Sequence, residues 1–186
     1  MTLYPYFVDP LRLRAVYGGK DVELGAKIRA GLTWPPTVGE AVSADEALDQ
    51  ILRGAILDSS VREVYTSVLE SICGTIGIDA TEHLDEDDHL TLEGELIEIA
   101  NQALRRIGVA ELAANATTDH PFLPGIGRPQ DIPMIEVYEA ADCARTAAVI
   151  DARWSDFTAD EVLGVGPVLR LLEHRRYHDV LIVFSY

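Results

Sequence analysis

The chain has 186 residues, of which 48% are hydrophobic, and its 31 acidic and 15 basic residues give a formal net charge of −16. That apolar fraction is typical of a globular protein and excludes a disordered chain, which has too little apolar surface to bury. The acidity argues against binding to nucleic acid or to an anionic membrane surface, because both depend on Lys and Arg. It would attract a basic protein partner, although net acidity also serves simply to keep a protein soluble.

The length and the absence of long apolar runs predict one soluble domain over residues 1–186. No run reaches the roughly 18 apolar residues that a membrane-spanning helix needs. Met1–Pro10 has neither the basic start nor the apolar run of a secretory signal. Cys73 and Cys143 are too few for a disulfide framework. We therefore expect a cytoplasmic protein with two buried thiols, while a disulfide between the two cysteines stays an alternative.

The first half of the chain predicts one strand followed by helices. Leu3–Val8 is short and aromatic, and Pro5 favours a place at the sheet edge because it cannot donate a hydrogen bond to a neighbouring strand. Asp9 and Pro10 are a typical helix start, an acidic cap followed by proline. The helices expected here run from Pro10 to about Tyr17, over Val22–Ala30, from the capping box at Ser43 to Arg53, and over Ser60–Ile76.

The second half predicts further helices and two more strands. The expected segments are a helix at Leu92–Ile107, a loop over residues 115–133, a strand at Pro133–Glu139 and a helix at Ala140–Ile150. A capping box at Thr158 opens the next helix, which we expect to break at Gly164–Pro167 and to restart at Pro167. The unbroken apolar run Val180–Phe184 is typical of a strand that is covered on both faces.

These segments together predict an α+β fold, with α/β as the alternative. We expect a mixed β-sheet packed against several amphipathic helices. The C-terminal strand should be central in this sheet, and the N-terminal strand should lie near an edge.

The segment from Asp79 to Glu98 is the sharpest local feature, since it holds nine acidic residues and no Lys or Arg. His83, Asp85, Asp87 and His89 alternate along it, so in an extended conformation all four would point the same way and could bind a divalent cation. The alternative is a solvated acidic loop that precedes a helix. A basic partner could also dock here, and the residues predicted to contact it are Asp79, Glu82, Asp85, Glu86, Asp87 and Asp88, together with Trp34 in a proline-rich loop.

No known catalytic or cofactor motif occurs in the chain. It has no Gly-x-Ser-x-Gly elbow, His-Glu-x-x-His helix or Cys-x-x-Cys pair, and its glycine-rich pieces lack the pattern of a dinucleotide or phosphate loop. The sequence thus indicates no catalytic residue and no cofactor.

Four motifs follow one another along the chain: Tyr6–Gly18, Ala47–Gly54 leading into Tyr65–Cys73, Leu123 and Pro124 with Asp131–Pro133, and Asp179–Tyr186. Their order resembles an uncharacterised group of bacterial domains of unknown function that is distantly similar to the YfbM-like proteins. The resemblance implies a compact domain of α-helices and a sheet, and it implies no catalytic residue. The acidic stretch Asp79–Asp88 has no counterpart in the family pattern.

Three functions remain open from the sequence. The first is a non-catalytic acidic binding protein, such as an immunity or antitoxin-like inhibitor of a basic partner. The second is a small-molecule enzyme, hydrolase-like, with a pocket of scattered carboxylates and histidines. The third is divalent-metal binding at the His83–His89 segment.

Overall fold

The computed structural model describes residues 2–31, 42–56, 62–83, 94–109, 122–124, 134–173 and 180–186. Seven α-helices lie in these ranges: α1 Pro10–Val16, α2 Val22–Gly31, α3 Ala44–Arg53, α4 Arg62–Ile76, α5 Gly94–Arg106, α6 Ala140–Ala152 and α7 Ala159–Glu173. Two short 3-10 helices, Ala80–His83 and Trp154–Asp156, accompany them. The helix starts follow the predicted caps, since the Asp9 carboxylate accepts from the Leu11 amide and the Ser43 hydroxyl accepts from the Glu46 amide.

The described strands form one four-stranded sheet in the order β2-β1-β4-β3. Their bounds are β1 Leu3–Val8, β2 Ile78–Asp79, β3 Met134–Tyr138 and β4 Val180–Ser185. The predicted α+β fold is confirmed. The sheet, which was expected to be mixed, is antiparallel at each described pairing.

The two terminal strands lie where the sequence predicted. β4 is central, between β1 and β3, and all six of its residues are buried. β1 is second from the edge, and its outer neighbour β2 has only two residues. Both predictions are thus confirmed.

Pro5 fits inside β1 because its missing N–H faces away from β4. The backbones of Thr2 and Tyr186 exchange hydrogen bonds of 2.9 and 3.0 Å, which fixes the alternation of the antiparallel ladder. Pro5 and Val183 are then a pair without mutual backbone hydrogen bonds. The pairing of β1 with β2 includes Tyr6 and Phe7 only, so the proline removes no hydrogen bond from either described ladder.

Helices cover both faces of the sheet and bury two cores. The first core lies between the sheet and α1–α4, and the second lies between the sheet and α5–α7. Successive residues of β4 alternate between them, with Val180, Ile182 and Phe184 in the first core and Leu181 and Val183 in the second. This alternation explains why the run is apolar without interruption.

The predicted break at Gly164–Pro167 is wrong, because α7 continues through Pro167. Proline removes one helical hydrogen bond, yet Val165, Val168 and Leu172 on both sides of it are buried in the same core. Gly164 lies so close to α5 that an added Cβ would be 2.7 Å from the Leu96 carbonyl oxygen. Tertiary packing therefore outweighs the local preference for a break.

Both cysteines are buried free thiols, as predicted, and they lie in different cores: Cys73 in the first and Cys143 in the second. Within the described ranges, none of the helices combines the length and the apolar character that crossing a bilayer requires.

Candidate functional site

The four residues of the predicted metal site lie almost wholly outside the described residues. His83 ends the 3-10 helix Ala80–His83, while Asp85, Asp87 and His89 fall in the undescribed range 84–93. In the described part of the chain, no group of three or more His, Cys, Asp or Glu residues could hold a metal ion. The metal site stays a prediction.

Two of the predicted partner-binding residues are described in part. The Asp79 carboxylate accepts from the backbone amide of Thr81 at 2.8 Å and from the Thr81 hydroxyl at 2.6 Å, so it caps the 3-10 helix that follows. Glu82 lies in that helix. The remaining predicted contacts, namely Trp34, Asp85, Glu86, Asp87 and Asp88, lie outside the described residues.

A different group of side chains, around Glu70 of α4, forms the most developed polar site in the described part of the chain. The Tyr6 hydroxyl, from β1, donates to Glu70 Oε1 at 3.5 Å, the outer limit of a hydrogen bond. The Tyr186 hydroxyl, which follows β4, donates to Glu70 Oε2. Each carboxylate oxygen thus has its own phenol donor.

The sheet register brings the two tyrosines together. Tyr6 pairs with Ile182, and Tyr186 lies four residues after Ile182, so both side chains are on the face that carries the first core. The Tyr6 ring meets Phe184 edge-on with centroids 5.9 Å apart, and the Tyr186 ring meets Tyr4 at 5.5 Å. These aromatic contacts hold the two hydroxyls toward α4.

Burial controls the ionisation of the group. Desolvation raises the pKa of Glu70 above its usual value, and the hydrogen bonds from Tyr186 and Tyr6 oppose that rise. Burial, and then the proximity of Glu70, raise the pKa values of both tyrosines far above the usual phenol value. The phenols are therefore permanent donors at physiological pH, and Glu70 is the group whose charge can change.

Glu70 and Tyr6 line an open cleft of about 300 Å³ between α2, α4 and β1. We call it the Glu70 cleft, and its lining residues are Tyr6, Ile28, Gly31, Glu70, Ser71, Gly74 and Thr75. None of these seven is Lys, Arg or His. Among the described residues, no cationic side chain forms an ion pair with Glu70.

Each hydroxyl group on the cleft wall already donates its proton in a hydrogen bond within the protein. Ser71 Oγ donates to the Ser67 carbonyl at 3.3 Å, and Thr75 Oγ1 donates to the Ser71 carbonyl at 2.8 Å, both one helical turn back. Tyr6 donates to Glu70. A hydroxyl has one proton and two lone pairs, so these groups can offer only acceptor capacity to a ligand. The polar side chains of the cleft wall are therefore complementary to a hydrogen-bond donor.

Two other features of the described structure, a second cleft and the carboxylate of Glu136, are weaker candidates for a binding site. A second cleft of about 310 Å³ is lined by charges of both signs, including Arg12, Lys27, Asp21 and Glu23. Arg12 is itself occupied, since it donates to the Ile76 carbonyl at 2.9 Å and so caps the end of α4. On the other face of the sheet, Glu136 accepts from Tyr138 but is only 6% exposed, which leaves little surface for a ligand.

Sequence reasoning missed the Glu70 cleft. In the sequence Glu70 is an ordinary charge on an amphipathic helix, and its donors lie 64 and 116 residues away. The one available signal is chemical, because Tyr6 and Tyr186 place hydroxyl groups within or next to strands that are mostly apolar. Neither strand could be paired with α4 before the fold was known.

A family model described as a domain of unknown function, DUF7691, matches residues 1–184. The chain therefore belongs to this family. Searches of curated proteins and of solved structures give no match. The family description assigns no activity, so inference of function depends on the geometry of the site.

Proposed function

We propose that this DUF7691 member is a non-catalytic binding protein for a basic protein partner, and that the Glu70 cleft receives a positively charged group of that partner. The observation that carries the proposal is the acceptor-only wall of the cleft, with a carboxylate that has no cationic partner among the described residues. A cation brings donors without acceptors, so it matches this wall better than a neutral polar group does.

The free-energy cost of burying the Glu70 carboxylate also favours a positively charged ligand. A partly buried carboxylate is costly unless it is hydrogen-bonded or paired with a cation. Two phenols compensate Glu70 only in part, because burial still raises its pKa. A bound cation would supply the missing charge and favour the ionised form.

Long-range attraction would support the contact. The net charge of −16 accelerates encounter with a basic protein and makes binding sensitive to salt. An immunity or antitoxin-like inhibitor of a basic toxin, such as a nuclease, has this character. The free thiols Cys73 and Cys143 support a cytoplasmic location, where disulfides are rare. A distant relationship to the YfbM-like proteins belongs to the same proposal, and a shared strand order would support it.

The test compares two variants that change the net charge equally. Glu70→Gln removes the charge and keeps one acceptor oxygen, enough for one of the two tyrosines, whereas Glu98→Gln removes an exposed charge from α5, on the opposite side of the sheet. Partner capture from the source cells, followed by affinity measurement with the purified partner, should show lost binding for Glu70→Gln only. Equal binding by all three proteins, or affinity unaffected by salt, contradicts the proposal.

A small-molecule enzyme is the second candidate, and one observation favours it. A carboxyl group whose pKa is raised, at the wall of a cleft, is suited to proton transfer. The described lining of this cleft has one carboxylate and no histidine, which is fewer groups than the sequence-based hypothesis assumed. Depletion of a metabolite from a cell extract by the wild-type protein, but not by Glu70→Gln, would establish this function instead.

A further inference from the structure

Among the described residues, no close packing contact explains the presence of Gly74 in α4. An added Cβ would lie 3.6 Å from Tyr6 Cε1 and 4.0 Å from the Tyr6 hydroxyl, which are ordinary contact distances. Its φ angle is not in the left-handed region. At Gly164, by contrast, a Cβ would be 2.7 Å from a backbone oxygen, so that glycine is required by helix packing.

Glycine is nevertheless a poor residue for a helix, because it loses more conformational freedom on folding than alanine does. Gly74 is exposed and lines the Glu70 cleft above the Tyr6 ring. Because glycine has no side chain, this position leaves open space in the cleft beside Tyr6 and Glu70.

The placement of the acceptors selects among cations. Glu70, Ser71 and Thr75 lie on two successive turns of α4, and the Tyr6 hydroxyl lies across from them on the sheet. These acceptors come from two walls of the cleft, helix α4 and strand β1, whereas a guanidinium directs its five N–H groups in one plane. An ammonium has three donors around a tetrahedral nitrogen and fits acceptors on different sides.

We propose that the Glu70 cleft binds a primary ammonium group on an alkyl arm, and that Gly74 leaves room for that arm. The arm would lie against the half-buried Tyr6 ring, which supplies apolar surface beside the acceptors. A volume of about 300 Å³ is at the lower end for ligand pockets and suits a group the size of a side chain. This inference rests on the proposed function and names the group of the partner that enters the cleft.

The experiment is an NMR titration of the full chain that follows the Gly74 amide. The probes are n-butylammonium, n-butylguanidinium and the peptide Gly-Gly-Lys-Gly-Gly with blocked ends. We expect the two ammonium probes to shift the Gly74 signal at lower concentration than the guanidinium does. Equal or tighter binding of n-butylguanidinium, or no shift with either ammonium probe, overturns the inference.

Substitutions at Gly74 and at Glu70 test the role of each residue separately. Gly74→Leu should weaken n-butylammonium binding about tenfold or more, as expected when a side chain fills a small site, and Glu70→Gln should weaken it about tenfold to a hundredfold. Ala148→Leu, at an exposed position on α6, is the matched control and should bind as the wild type does. Equal binding by Gly74→Leu, with its unfolding transition intact, overturns the role of Gly74.

The probes also distinguish this inference from the proposed function. If the lysine peptide binds at least as well as n-butylammonium, a protein partner is supported. If n-butylammonium binds and the peptide does not, the ammonium site stands and the protein partner is refuted. If only n-butylguanidinium binds, a basic partner survives and the ammonium specificity fails.

Discussion

Replacing Gly74 by alanine should raise the free energy of unfolding, although the residue lines the proposed binding site. Alanine removes the helical penalty of glycine, which is about 0.5–1 kcal/mol in a helix interior. In the described part of the chain its Cβ would contact Tyr6 alone, 3.6 Å from Cε1 and 4.0 Å from the hydroxyl, so we expect no packing cost to offset the gain. Gly74 is two residues from the end of α4, where helical order is weaker, so we expect the lower half of this range.

The same substitution at Gly164 should have the opposite sign. Its Cβ would lie 2.7 Å from the Leu96 carbonyl oxygen and 3.1 Å from the Ala100 Cβ, so α5 and α7 would have to move apart. Overpacking of this kind costs about 1–3 kcal/mol, which exceeds the gain in helix propensity. We expect a net loss of about 1–2 kcal/mol.

The assay is urea unfolding at neutral pH, with both variants and the wild type measured side by side. For a chain of this size the two changes correspond to opposite shifts of roughly 1–3 °C and 2–8 °C in Tm. An unfolding free energy that falls in Gly74→Ala would show that α4 needs glycine there for packing. The inference that this glycine serves the cleft would then be refuted. If Gly164→Ala were more stable than the wild type, α5 and α7 would have to lie farther apart than described above.

Three other predictions concern the charge of Glu70, the last strand and the metal site. Because the folded state raises the pKa of Glu70, the stability it contributes is fully present below the usual pKa of glutamate and is lost as pH rises through the folded pKa. Urea unfolding across a pH series should therefore show a smaller decline for Glu70→Gln than for the wild type, and parallel curves would contradict this sign. Deleting Val180–Tyr186 removes the strand shared by both cores and should abolish cooperative unfolding, while a soluble, cooperative product would refute that role. If His83, Asp85, Asp87 and His89 bind a divalent cation, calorimetry with Ca²⁺, Mn²⁺ or Zn²⁺ should give heat that His83→Ala abolishes, and no heat from any of them would end the hypothesis.

Most of the fold was predictable because its signals are local. The caps at Asp9 and Ser43 depend on side chains within three residues, and the burial of Val180–Phe184 is evident from its unbroken apolar run. The error at Pro167 has a non-local cause. Proline and two glycines indicate a helix end by local rules, whereas the continuation of α7 depends on its contacts with α5.

The site was not predictable, since its chemistry comes from residues far apart in the sequence. Glu70 is set among the alternating polar and apolar residues of α4, and only the sheet brings Tyr6 and Tyr186 to its oxygens. The acceptor character of the cleft wall was equally hidden, because the sequence does not reveal that Ser71 and Thr75 donate to backbone carbonyls of α4. The sequence pointed instead to Asp79–Asp88, and among the acidic residues of that stretch only Asp79 has a described side chain.

The pairing of β1 with β4 also has a consequence for synthesis of the chain. Thr2 and Tyr186 are joined by two backbone hydrogen bonds, so the ladder at the centre of the sheet connects the most distant parts of the chain. A ribosome therefore makes β1 and all seven described helices before their shared strand exists. Until residues 180–186 emerge, the apolar faces of those helices cannot pack against the central strand and stay exposed. Nascent chains of this protein should therefore be clients of chaperones that bind exposed apolar segments.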